Sequence, residues 1–123
     1  MQRGVLLFAH GARDPRWAEP FEAVAARVRA SDASLQVRLA YLELMTPTLL
    51  EAGSDLALAG CDRVSIVPLF LGAGGHVRKD LPELQRALQA AHPLVQWRLH
   101  QAIGELEPVI AAMADVAAKM AME

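Results

Sequence analysis

Two stretches, Val5-Leu6-Leu7-Phe8-Ala9 and Val64-Ser65-Ile66-Val67-Pro68-Leu69-Phe70, are nearly unbroken apolar runs of strand length. A strand with one wet face alternates apolar with polar residues, so runs like these belong to a sheet covered on both sides. The chain supplies the cover as helix-period segments placed between the strands. Phe21, Val24, Ala25 and Val28 form one apolar stripe over Trp17 to Ala30. Thr46 is expected to cap a second helix, with Pro47 at its first position, that stops near Gly60. Asp80 and Glu83 have capping-box spacing at the mouth of a third, whose core face is Leu81, Leu84 and Leu88 and which ends at His92-Pro93. From Glu105 onward a last helix is expected to bury Leu106, Val109, Ile110, Met113, Val116 and Met120. Two further strands are read at Leu35 to Leu44 and Val95 to Gln101. Strictly alternating strands and helices predict an α/β fold, a flavodoxin-like three-layer sandwich. Four right-handed βα units would give a four-stranded parallel sheet, ordered 2-1-3-4 by analogy with doubly wound sheets.

Bulk properties narrow the function. A chain of 123 residues without repeat, linker or low-complexity tract reads as a single domain over residues 1–123. A net charge of −2 lacks the basic excess that nucleic-acid binding requires. The single cysteine excludes an internal disulfide, and with no secretory signal pattern it points to a reducing cytoplasmic setting. The N-terminal apolar run is far shorter than the roughly 20 residues that cross a bilayer, so no membrane association is expected.

The chemistry concentrates where strands end. The first apolar run opens into His10-Gly11-Ala12-Arg13-Asp14-Pro15, and the third strand into Leu71-Gly72-Ala73-Gly74-Gly75-His76. Glu43 lies at the end of the second. Open α/β sheets bind ligands in the crevice beyond the carboxyl ends of their strands. Two imidazoles and a carboxylate there suit Fe²⁺, Co²⁺, Ni²⁺ or Zn²⁺, with positions left open for exchange. Each residue also has a plain structural reading: a satisfied strand-end histidine, a solvated glutamate. Gly72, Gly74 and Gly75 match neither nucleotide-loop spacing. They fit backbone passing close to a large flat ligand, or turns that need positive φ. Arg13, Arg16, Arg78 and Lys79 put four cations on the two histidine loops, a local basic field on an acidic chain that would draw in an anion. Solvated loop charge is the alternative. His100, near the fourth strand's end, is a further candidate, whereas His92 beside Pro93 reads as a helix terminus and Cys61 as a small core or turn residue.

Taken together, Ala9-His10-Gly11-Ala12-Arg13-Asp14-Pro15, Tyr41-Leu42-Glu43 with Pro47, and Val67 through Val77 closed by Asp80-Leu81-Pro82 resemble the small single-domain CbiX-type sirohydrochlorin chelatases, class II tetrapyrrole chelatases. Gly104 with Pro108 adds a weaker C-terminal feature. Ala12 departs from the family, which commonly has serine after His-Gly; a hydroxyl is lost but no metal ligand. The resemblance implies insertion of Co²⁺ or Fe²⁺, with Ni²⁺ also admissible, into sirohydrochlorin for cobalamin or sirohaem synthesis, with no organic cofactor. It implies His10 and His76 at the metal and as proton acceptors, Glu43 as a third metal contact, and Arg13, Arg16, Gly74, Gly75, Arg78 and Lys79 toward the substrate. An imidazole is a suitable acceptor for the two pyrrole protons that leave as the metal enters. The eight carboxylates of sirohydrochlorin account for the loop cations. Larger members hold two such domains around one site, so a chain of this length is expected to homodimerise. The alternative is a non-catalytic carrier of metal or tetrapyrrole.

Overall fold

The computed structural model describes residues 2–123. Strands β1 (Arg3–Ala9), β2 (Gln36–Tyr41), β3 (Arg63–Pro68) and β4 (Gln96–Leu99) form one sheet ordered β2-β1-β3-β4, every pair parallel. The apolar runs thus become the two central strands, as expected of strands shielded on both faces.

Helices α1 (Glu19–Ser31), α2 (Leu49–Leu58), α3 (Gly75–Ala91) and α4 (Glu107–Met120) cover the sheet unequally. On one face Leu49, Ala52 and Leu56 of α2 and Leu81 and Leu88 of α3 pack on Leu6, Phe8, Ala40, Val64, Ile66 and Trp97. Phe8, Leu56, Ile66 and Leu88 are fully buried there. Each such side chain contributes on the order of 2 kcal/mol by leaving water. Gly53 lets α2 and α3 close up, since a Cβ would collide with Leu88 and press on Trp97. On the other face Ala25 and Val28 of α1 cover Leu7, Val37 and Leu39. Val67 of β3 and the following Leu69 pack at the margin of this cluster and stay only partly buried.

Four expectations are corrected. The helix expected at Asp80 begins five residues earlier: Gly74 is the N-cap of α3, and Pro82 lies inside the helix. Asp80 is therefore an exposed helical residue and caps nothing. The α2 cap is Thr48, whose hydroxyl accepts from the Glu51 N–H while the Glu51 carboxylate accepts from the Thr48 N–H. That reciprocal box satisfies two N–H groups left open by a helix start and outcompetes Thr46. Val24 of the α1 stripe is 39% exposed. The last correction is the largest: α4 has no buried residue, and the element it touches extensively is the 3-10 turn Ile103–Glu105 just before it. Its periodic apolar stripe exists, but it faces no core within this chain.

Candidate functional site

The carboxyl ends of β1, β2 and β3 form one rim. The Leu42 N–H donates to the Ala9 carbonyl at 2.9 Å and the Glu43 N–H to the His10 carbonyl at 3.0 Å, extending the β1–β2 pairing past both strands. The Leu69 N–H donates to the Phe8 carbonyl at 2.7 Å, so the third strand's exit is tied to the same place. Gly11 sits at φ +95°, and a Cβ there would penetrate the Glu43 carbonyl. Only glycine can take that turn while the two loops remain in contact. The residue pair His10-Gly11 is thereby fixed against Glu43 by backbone, independent of any side chain.

The His10 ring stacks at a tilt on Phe70, with centroids 4.4 Å apart. Phe70 is itself buried and packs on Phe8. One edge of the imidazole thus rests on an apolar floor while the residue remains exposed. Nothing in the sequence marked Phe70 for this task beyond its place at a strand's end. Glu43 and His76 are exposed as well. His76 is the second residue of α3, not a loop residue, because the helix starts at Gly75. Gly72, Gly74 and Gly75 meet nothing that a Cβ would strike and have no positive φ. The turn-geometry explanation for these glycines therefore fails, and they form an open surface at the helix start. No side chain caps α3, so the helix start presents N–H groups and the positive end of the helix dipole at the rim.

Among the described residues, no three His, Cys, Asp or Glu side chains stand together as a ready metal site. The chain brings Glu43 and His10 together through their loops and places His76 on the neighbouring helix start, without assembling a closed ligand cluster.

The four cations divide into two kinds. Arg16 is committed to Asp14: their side chains pair at 3.0 Å, and Asp14 also accepts from the Arg16 N–H as cap of the 3-10 turn Pro15–Ala18. These bonds hold the Asp14 carboxyl below its ordinary range. Arg78 reaches the Ala73 carbonyl at 3.2 Å and Glu105 at 3.7 Å. Arg13 and Lys79 have no ion-pair partner among the described residues.

His92 shares a 2.8 Å hydrogen bond with Ser54, which ties α3's end to α2. Cys61 is buried, and burial raises its thiol pKa, which fits a core residue. His100 lies 3.1 Å from the Ser65 hydroxyl. Desolvation, helped by the nearby Arg98 charge, lowers its pKa. It belongs to the sheet face below the rim. Gly104 lies against Leu71, where a Cβ would strike backbone, and its N–H donates to the Phe70 carbonyl at 2.9 Å. That contact fixes the 3-10 turn Ile103–Glu105 beside the glycine segment. A cavity of about 260 Å³ between the two is lined in part by Ala73, Arg78, Pro82 and Glu105. No helix in the described residues is long and apolar enough to cross a membrane.

Comparison with known proteins matches this arrangement. The sirohydrochlorin cobaltochelatase of Saccharolobus solfataricus is 38% identical over 81 residues, covering 66% of this chain and 62% of that protein. The corresponding enzyme of Methanopyrus kandleri is 34% identical over 80 residues, 65% of this chain and 56% of its own. Each match thus spans less than two thirds of the relative's length. A crystal structure of a CbiX protein from Marinobacter aquaeolei VT8 superposes with a TM-score of 0.84 at 35% identity, covering 98% of both chains. The cobalt complex of the sirohydrochlorin chelatase SirB from Bacillus subtilis subspecies spizizenii gives 0.80 at 25% identity, over 95% of this chain and 52% of that one. The CbiX family model matches residues 4–120. With a single family model spanning nearly the whole chain and the rim motifs folded onto one edge of the sheet, this chain belongs to the CbiX family.

Proposed function

We propose that this chain, working as one domain, inserts a divalent metal, Co²⁺ or Fe²⁺ with Ni²⁺ admissible, into sirohydrochlorin in the cytoplasm, for cobalamin or sirohaem synthesis. The observation that carries the proposal is the rim itself: two exposed imidazoles on adjacent strand exits, one seated on Phe70 and one at an uncapped helix start. His10 and His76 deliver the ion and take up pyrrole protons, and Glu43 makes a third contact on the loaded site. A ligand set that is not closed in advance favours turnover, because an ion that must be handed on cannot sit in a saturated shell.

The substrate's carboxylates are met by the unpaired Arg13 and Lys79 and by the N–H groups at Gly74, Gly75 and the start of α3. Arg16 and Arg78 contribute charge while holding their own loops. His10, Glu43 and His76 are all exposed at the rim, so a flat macrocycle bound there keeps one face in water. A homodimer in which a second copy closes that face completes the site.

Turnover tests the proposal. Protein mixed with sirohydrochlorin and Co²⁺ should accelerate the absorption change of metal insertion over the protein-free rate, many times per chain. A spectral shift that stops at one equivalent without acceleration would instead identify a carrier.

A further inference from the structure

Arg16 and Arg78 each face a carboxylate, but not alike. Asp14 accepts from two nitrogens of Arg16, Nε at 3.3 Å and Nη2 at 3.0 Å. Glu105 stands 3.7 Å from Arg78 Nη2, outside hydrogen-bond range. The hydrogen bond that this guanidinium does make is to the Ala73 carbonyl at 3.2 Å, and its Nε and Nη1 have no partner among the described residues. Both side chains of the pair meet water, at 69% and 37% exposure, so the pair holds weakly and exchanges readily.

Arg78 and Glu105 both line the cavity of about 260 Å³ beside the glycine segment. Ala73, Leu81, Pro82 and Leu99 give it hydrocarbon walls. Such a chamber with one under-used guanidinium suits a short aliphatic carboxylate, whose methylenes touch the walls while its head takes the fork. Its volume is many times the roughly 15 Å³ that a single water needs. The backbone at Glu105 is held, because Gly104 is locked against Leu71 and donates to the Phe70 carbonyl at 2.9 Å. Glu105 is therefore a standing negative charge that an incoming carboxylate must displace from Arg78.

The glycines add a separate observation. A Cβ at Gly72, Gly74 or Gly75 would meet nothing, and none of them has positive φ, so neither packing nor backbone geometry accounts for the missing side chains. A ligand arm that crosses the segment from the rim to the cavity does account for them.

We propose that this cavity is the subsite for one carboxylate arm of the macrocycle, an acetate or propionate, and that Arg78 leaves Glu105 to bind its head. In the free protein Glu105 holds Arg78 in place, and its charge sets how firmly an arm must bind to enter. The identity of the arm rests on the chelatase reading, whereas the carboxylate subsite rests on the cavity and its charges.

Sodium propionate, titrated to about 50 mM into the isotope-labelled full chain with no metal or macrocycle present, is the probe. Magnetic resonance signals of Ala73, Arg78 and Glu105 should shift together, and Arg78→Gln should abolish the shift. Glu105→Gln removes the competing charge and keeps the shape, so it should tighten propionate about threefold and lower the KM for sirohydrochlorin by a similar factor. Arg78→Gln should raise that KM about fivefold, and Arg78→Lys, which keeps the charge without the fork, should recover only part of the loss. Were the pair only a structural clasp, Glu105→Gln and Arg78→Gln would both raise KM, and that result overturns the subsite. A propionate titration that moves none of these signals overturns it too. Propionate binding at the cavity of a protein that shows no metal insertion would instead overturn the proposed function and leave the carboxylate subsite standing.

Discussion

The two histidines of the rim stand on different ground. His10 directly follows a central strand, precedes a glycine that no other residue type can replace, and lies on a buried aromatic ring. His76 begins an exposed helix beside glycines that touch nothing. One imidazole is positioned by the core and the other by a helix start alone. For a proposed metal-transferring site, this suggests a fixed post and a second ligand whose position the bound macrocycle completes.

The contrast can be broken most directly at the histidines. His10→Ala and His76→Ala should each lower the insertion rate at least about 100-fold. Neither should shift thermal stability much, since both side chains are exposed. Wild-type rates in both variants would remove the proposed roles. Next in size is the glycine comparison. Gly11→Ala should cost about 2–3 kcal/mol in a denaturant titration, through the positive φ and the clash with Glu43. Gly74→Ala, with open space and a φ of −71°, should change stability by less than about 0.5 kcal/mol. Equal effects would mean that the two loops are held alike.

Smaller differences are expected among the cations. Arg13→Gln or Lys79→Gln should raise KM for sirohydrochlorin about two- to fivefold and flatten its salt dependence, because these charges are free to meet carboxylates. Arg16→Gln should instead act by loosening the cap at Asp14, visible as a small loss of stability with little change in salt response. The smallest effect concerns His100. Its folded pKa lies below the ordinary 6.5, so the unfolded chain takes up its proton first as the solution is acidified. Its contribution to stability is complete above pH 6.5 and is lost as pH falls toward the folded value. A His100→Gln variant should show a shallower decline in melting temperature below pH 6.5; an identical decline would dissociate His100 from the acid response.

Much of this was legible in the residues. The continuity of Val5–Ala9 and Val64–Phe70 pointed to a parallel sheet, and the order 2-1-3-4, expected by analogy with doubly wound sheets, is the one found. Helix starts were less legible. Asp80 and Glu83 suggested a helix start, but the helix begins at Gly75 and runs on through Pro82, and Thr48 rather than Thr46 won the cap because Glu51 reciprocates. The Phe70 floor under His10 could not be read, since stacking depends on how two strand exits are juxtaposed. Nor could the commitment of Arg16 and Arg78 to Asp14 and Glu105, as against the freedom of Arg13 and Lys79, be told from composition.

The order of apolar runs and helical stripes by itself determined the sheet and the edge at which His10, Glu43 and His76 would appear, because hydrophobic periodicity fixes which faces must be buried. Only the tertiary structure decided where α4 goes. An apolar stripe states that a helix must be covered, but the same burial is satisfied by its own sheet or by another chain's. The pinned turn at Gly104 and the one-residue hinge at Leu106 are what direct it outward.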